Sequence, residues 1–247
     1  MGERLEPVVG SVWPVEVERM KAVVFDVDGT LYDQRRVRRL MVRRILASLW
    51  TRPLVLGRTV RAIAAYRDAL EDLREQPAAG GDLAAEQLRR AADRSGLDAE
   101  VIAGCVERWM ESEALDAVAA ARRDGLLELL AAARARGMRL GVVSDYPAAA
   151  KLDALGVSDY FEVCVHAQDP DVQRLKPAPR GLELALERLD VAGAEAVYVG
   201  DRVDVDAEVA RRAGLGCVIV GAAHAHASGE HWTGVAGFEE MHRELVG

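Results

Sequence analysis

The chain reads as an α/β protein with a parallel sheet for its core and a helical segment inserted into that core. Three observations lead there. Short apolar runs stop abruptly in polar loops, helical patterns alternate with those runs from Asp124 onward, and the stretch from about Gln34 to Ala121 is rich in Ala, Arg, Leu and Glu with no strand pattern. Half of the 247 residues are apolar, enough for a sizeable core in one large or two modest domains.

Taken in chain order, Ala22-Val23-Val24-Phe25 is short, apolar and β-rich, as a buried strand should be. It runs into Asp26-Val27-Asp28-Gly29-Thr30-Leu31, where Gly29 permits a sharp turn. The helical stretch follows, with breaks expected at Pro53 to Gly57, at Gln76 to Gly81 and around Gly96. Its clearest helix is expected after Asp98 as N-cap, with Val101, Ile102, Cys105, Val106, Trp109 and Met110 forming one apolar stripe. Asp124 is then expected to cap a helix running to Gly137, before a strand over Arg139 to Val143 that stops at Ser144. Pro147 suits the first turn of a helix that Gly156 ends. Further strands are expected at Phe161 to Val165, Ala196 to Val199 and Gly216 to Val220, with helices over Pro179 to Leu189 and Ala207 to Ala213.

Chemistry concentrates where these strands end, which is where ligands gather in open parallel sheets. Asp26 and Asp28 leave the first strand two residues apart. A carboxylate can act as a covalent nucleophile and a second can exchange protons, but both repel an anionic substrate unless a hard cation such as Mg²⁺ lies between them. Ser144 ends a later strand and offers a hydroxyl to a phosphoryl oxygen. Lys176 stands in Leu175-Lys176-Pro177-Ala178-Pro179, a stiff loop at a helix entrance and a suitable place for a fixed cation. Gly200-Asp201-Arg202-Val203-Asp204-Val205-Asp206 is a second acidic loop. It lacks the spacing and terminal Glu of a calcium loop, so a Mg²⁺ site shared with the first motif is the better reading.

This ordered set resembles the haloacid dehalogenase superfamily of hydrolases over nearly the whole chain. The resemblance implies a Rossmann-like core domain of residues 1–31 and 121–247 and a helical cap domain of residues 32–120. It implies Asp26 as the nucleophile that becomes an aspartyl phosphate, and Asp28 as general acid and base. Mg²⁺ would be held by Asp26, by the backbone carbonyl of Asp28, by Asp201, and by Asp206 in support, while Ser144 and Lys176 hold the phosphoryl group. The implied activity is hydrolysis of a small phosphorylated metabolite. A phosphosugar mutase on the same core, and a non-catalytic binding or regulatory protein keeping the fold, are the alternatives; dehalogenation fits poorly because those members lack the second aspartate and the metal.

Composition bounds the partners. With 32 Lys plus Arg against 40 Asp plus Glu, the net charge of -8 argues against nucleic acid as a partner. No run approaches the roughly 18 apolar residues of a membrane span, and Glu3 and Glu6 do not suit a secretory signal. Cys105, Cys164 and Cys217 are widely spaced, without a zinc or disulfide pattern, so a reducing cytoplasm is the expected location. Arg35, Arg39 and Arg43 share one face of the first inserted helix, a candidate contact for a second anionic group or else a solvated basic face. His224, His226 and His231 match no standard zinc spacing and read as surface loop residues. Oligomeric state leaves no trace in the sequence.

Overall fold

The computed structural model describes residues 13–78 and 80–246. The first twelve residues of the expected core therefore lie outside the described residues. Among these, seven strands form one sheet in the order β3-β2-β1-β4-β5-β7-β6. The strands are β1 (Ala22–Phe25), β2 (Arg139–Ser144), β3 (Val163–His166), β4 (Ala196–Gly200), β5 (Gly216–Val220), β6 (Ser228–Gly229) and β7 (Trp232–Val235). All neighbouring pairs are parallel except β6 with β7. The expected α/β class with a parallel sheet is borne out.

The sheet holds because its strands are apolar on both faces. Val23, Phe25, Leu140, Val142, Val197, Val199, Val218 and Val220 point into one core. Ala22, Val24, Val143, Val165, Ala196, Tyr198, Cys217 and Ile219 point into the other. This alternation is the two-residue period of a pleated strand, and helices must cover both sides because neither can face water. Each fully buried valine or phenylalanine contributes about 1.5–3 kcal/mol.

The helices are α1 (Gln34–Leu49), α2 (Pro53–Glu75), α3 (Leu83–Ser95), α4 (Ala99–Val106), α5 (Leu115–Ala120), α6 (Leu126–Ala135), α7 (Ala149–Leu155), α8 (Arg180–Leu189), α9 (Glu208–Ala213) and α10 (Phe238–Val246). The first six lie between β1 and β2, five of them within residues 32–120. Val37, Met41, Ile45 and Leu49 of α1 join the sheet's first core. Ala62, Ala65, Tyr66 and Ala69 of α2 instead pack with Ala91, Ile102 and Val106 in a small core of their own.

Several boundaries differ from expectation. Pro53 to Gly57 is no break, since Pro53 opens the 23-residue α2 and Gly57 lies within it. Proline is well suited to the first helical position, and the cost of one interior glycine, about 1 kcal/mol, is outweighed by the apolar face that α2 buries. The helix expected after Asp124 begins one residue later, with Gly125 as N-cap at φ +76°. A Cβ there would sit 2.8 Å from the Glu239 backbone nitrogen, so α6 can press onto α10 only with glycine at that turn. Asp98 does precede α4, but its side chain makes no capping hydrogen bond. Asp33 and Asp82 do cap α1 and α3, accepting from Arg35 N and Ala84 N at 2.8 and 2.9 Å.

Candidate active site

The site is built at the C-terminal ends of β1, β2 and β4, which lie side by side in the sheet. Asp26 directly follows β1 and is anchored there by donating its backbone N–H to the Val199 carbonyl at 2.8 Å. Lys176 Nζ donates to Asp26 Oδ1 at 2.6 Å, and Thr30 Oγ1 donates to Asp26 Oδ2 at 2.9 Å. Both carboxylate oxygens are thus held in direction. Lys176 Nζ also donates to Asp206 Oδ1 at 2.8 Å and to the Tyr198 hydroxyl at 3.2 Å. Asp206 in turn closes its own loop, its Oδ2 accepting from the backbone of Asp201 and Arg202 at 3.1 and 3.0 Å.

Asp26, Asp201 and Asp206 each offer an oxygen within 4.8 Å of the others. Two glycines make that approach possible. A Cβ on Gly29 would land inside the Asp201 carboxylate, and Gly29 also has φ +103°; a Cβ on Gly200 would overlap the side chain of Asp206. The Asp201 carboxylate makes no hydrogen bond or ion pair among the described residues, its backbone N–H alone being bonded, to Asp206. Three carboxylates against the one ammonium of Lys176 leave two negative charges uncompensated in a buried place. That excess is costly where water is scarce. Burial, only partly offset by Lys176, pushes the Asp26 carboxyl far above the usual range, with Asp206 and Asp201 adding to the rise. Burial and Asp206 push Asp201 up to about 6. For Lys176 burial works the other way, but Asp206 and Asp26 outweigh it and hold the ammonium well above its ordinary value. An all-oxygen set with a deficit of two positive charges fits a hard divalent cation such as Mg²⁺.

Asp28 stands apart from that cluster. It accepts from Lys151 Nζ at 2.7 and 2.8 Å on its two oxygens and from the Tyr32 hydroxyl. Burial would raise its pKa, yet the charge and hydrogen bonds of Lys151, with the bond from Tyr32, prevail and lower it. Ser144 is buried at the end of β2, where its Oγ accepts from Tyr146 N at 3.3 Å and its hydroxyl proton remains free among the described residues. All six expected residues, Asp26, Asp28, Ser144, Lys176, Asp201 and Asp206, line one cavity of about 540 Å³ between the sheet's end and the helices α1 and α2.

Five further residues complete the arrangement and were not singled out from the sequence. Lys151 and Tyr32 pair with Asp28, and Tyr198 lies beside Lys176. Asp145 accepts from Lys176 N at 3.0 Å on one oxygen and from Arg74 of α2 on the other, tying the lysine loop to the helical segment. Arg123 donates to the carbonyl of Gly29 at 2.7 Å. Only the position of Asp145 beside Ser144 carried a signal, as a second acid at a strand end. Of the arginines on α1, Arg35, Arg39 and Arg43 do not line the cavity, whereas Arg38 does. Arg67 of α2 lines it as well, and neither of these two is paired with an acid among the described residues. The histidines 224, 226 and 231 form no metal-ligating group among the described residues.

The profile of haloacid dehalogenase-like hydrolases matches residues 20–214, spanning the site and the strands β1 to β4. The chain belongs to this family. A phosphoglycolate phosphatase from Shigella boydii is 27% identical over 223 residues, covering 86% of this chain and 85% of that protein. A glyceraldehyde 3-phosphate phosphatase from Methanopyrus kandleri is 30% identical over 201 residues, covering 79% of this chain and 82% of its own. A HAD phosphatase structure from Thermococcus onnurineus superposes with a TM-score of 0.63 at 23% identity, over 92% of this chain and 98% of that one, which supports the shared fold. The expectation of a phosphatase-type enzyme of this haloacid dehalogenase-like family is borne out. No helix among the described residues is long and apolar enough to cross a membrane.

Proposed function

We propose that the protein is a Mg²⁺-dependent phosphomonoesterase working through an aspartyl phosphate on Asp26, with residues 32–120 acting as a cap over a core of residues 1–31 and 121–247. The observation that carries this reading is Asp26 itself, a carboxylate aimed by Lys176 and Thr30 into a cavity and clustered with Asp201 and Asp206. In the first step an oxygen of Asp26 attacks phosphorus, the bond from phosphorus to the ester oxygen breaks, and the departing alkoxide takes a proton from Asp28. In the second, Asp28 removes a proton from water, whose oxygen attacks the same phosphorus, releasing inorganic phosphate and restoring Asp26. Such transfer depends on in-line positioning and charge stabilisation.

Asp26, Asp201 and the backbone of Asp28 would hold Mg²⁺, with Asp206 supporting the loop. Bound there, the ion supplies charge neutralisation for the phosphoryl oxygens. Lys176 adds its ammonium, shared between Asp26 and Asp206, and Ser144 has a free hydroxyl proton for a phosphoryl oxygen. Asp28 is held ionised by Lys151 before substrate arrives, so its use as an acid requires the substrate to loosen that pair.

The test is to incubate the protein with Mg²⁺ and a panel of phosphorylated metabolites, measure released phosphate, and trap the intermediate with hydroxylamine, followed by mass analysis of the peptide containing Asp26. Phosphate release with Asp26 trapped is the expected result. Isomerised phosphosugar in place of phosphate would favour the mutase, and neither product with any substrate would favour the non-catalytic alternative.

A further inference from the structure

The cavity has two unlike sides. Its floor is the charged cluster, whereas the inserted helices bring Arg38, Arg67, Asp68, Glu71 and Arg74 together with an apolar wall of Val37, Met41 and Ile45 of α1, Ile63 of α2, and Trp109 and Met110 after α4. At about 540 Å³ the space falls within the roughly 300–1,000 Å³ of pockets that enclose drug-sized ligands. A two-carbon phosphate ester would occupy the floor and leave this wall against water. The apolar surface does not stop at the mouth either. Val42 and Val60 both line the cavity and are 57% and 53% exposed. From Val42 the surface continues four residues on at Leu46 of α1 and at Trp50, its C-cap, which are 48% and 75% exposed. Side chains four apart lie one above another on a helix, so this is a single continuous strip leading out of the site.

The geometry points to a phosphomonoester with an extended apolar leaving group, its phosphate at Asp26 and its hydrocarbon body along the α1 and α2 wall toward Val42 and Val60. This inference rests on the phosphomonoesterase reading above. It departs from the polar, short-chain substrates for which the curated relatives are named. Arg38 and Arg67 border the wall and suit the dianionic phosphate as it enters.

The experiment is a series of n-alkyl phosphates from propyl to decyl, kept below their micelle-forming concentrations, assayed with Mg²⁺ beside phosphoglycolate and p-nitrophenyl phosphate. Leaving-group acidity is nearly constant along the alkyl series, so changes in kcat/KM report binding of the chain. We expect kcat/KM to rise about two- to four-fold per methylene over the first several carbons, up to the transfer value of about 0.8 kcal/mol per CH₂, and to exceed that for phosphoglycolate at the longer members. Val42→Asn and Val60→Asn, at positions exposed enough to tolerate polarity, should lower kcat/KM for the octyl ester about ten-fold more than for the propyl ester. A flat alkyl series in an enzyme that hydrolyses p-nitrophenyl phosphate, or a preference for phosphoglycolate over every alkyl ester, overturns the inference alone. No hydrolysis of any of these esters overturns the phosphatase reading and the inference with it.

Discussion

The two sides of the cavity are held by different physics. At the strand ends nearly every polar atom is assigned a partner: Asp26 by Lys176 and Thr30, Asp206 by two backbone N–H groups, Asp28 by Lys151 and Tyr32. On the helical side the lining is mostly aliphatic and aromatic, and of its three cations Arg74 is paired with Glu71 and Asp145 whereas Arg38 and Arg67 lack acid partners among the described residues. An over-determined floor fixes a reaction, because phosphoryl transfer tolerates little misplacement. A loosely specified wall fixes a ligand class and can change without disturbing the chemistry. The contrast predicts that floor substitutions act on turnover and wall substitutions on KM.

The largest effect should come from Asp26→Asn. An amide cannot form the acyl phosphate, so kcat should fall by at least about 10⁴-fold, as for loss of other covalent nucleophiles. Circular dichroism should stay native, since Asn retains the shape of the side chain. A folded variant with more than a few per cent of turnover would break the mechanism.

Next is the metal. Chelation should silence the enzyme, and Asp201→Ala should weaken apparent Mg²⁺ affinity by at least about ten- to hundred-fold, the cost of losing even an outer-shell partner. The pH dependence has a definite sign. Asp201 is raised to about 6 and Asp26 is raised further, both chiefly by burial, so the folded protein keeps protons that the unfolded chain has lost above the ordinary carboxylate range. Stability without metal should therefore fall as pH rises through that window, because the native state binds more protons than the unfolded one. Mg²⁺ must displace those protons, so its affinity should rise with pH and its thermal stabilisation should be larger at pH 8 than at pH 5. The lowered Asp28 acts in the opposite sense but below that window. Melting curves with EDTA and with Mg²⁺ across this range read the sign, and a Mg²⁺ shift that shrinks with rising pH would contradict it.

A third substitution separates Asp28 from the metal cluster. Lys151→Met removes the ammonium that holds Asp28 ionised, so the pKa of the Asp28 carboxyl should rise, as burial is then no longer opposed by that charge. The alkaline limb of the kcat/KM profile, where Asp28 loses the proton that the leaving alkoxide needs, should move to higher pH while Mg²⁺ affinity is unchanged. An unmoved limb would assign the acid-base step elsewhere.

How far the sequence reached differs between the same two regions. The floor was legible because it sits in loops at strand ends, where type and order carry the signal: Asp26, Asp28, Ser144, Lys176, Asp201 and Asp206 were each readable from the chain and all line the cavity. Their partners were not. Lys151 lies on α7, one charged helix residue among many, and reaches Asp28 only through the tertiary packing of α7, chiefly against α5. The C-terminal strand β7 was missed because Trp232–Val235 is four residues interrupted by Gly234, and only pairing with β5 makes it a strand. On the wall, α1 was legible as a helix with an apolar stripe, but which of its basic residues faced the site depended on the rotation of the helix against the sheet. Burial of Val37, Met41 and Ile45 fixes that rotation and turns Arg38, rather than Arg35, Arg39 or Arg43, toward the cavity.

The smallest predicted effect tests that rotation. Arg67 and Arg38 face the cavity without acid partners, and the proximity of Arg38 adds to burial in lowering the guanidinium pKa of Arg67, so an incoming phosphate relieves both. Because the pair is reached by water, its attraction for a phosphate is partly screened and should be worth at most about 1 kcal/mol. Arg67→Met should then raise KM about five-fold for every phosphate ester tried and leave kcat unchanged, with the increase shrinking at high salt. Arg35→Ala, Arg39→Ala and Arg43→Ala should have no effect on either constant. A KM rise confined to the Arg35, Arg39 and Arg43 variants would mean that α1 turns another face to the site in solution, and the apolar wall assigned to Val37, Met41 and Ile45 would have to be reassigned with it.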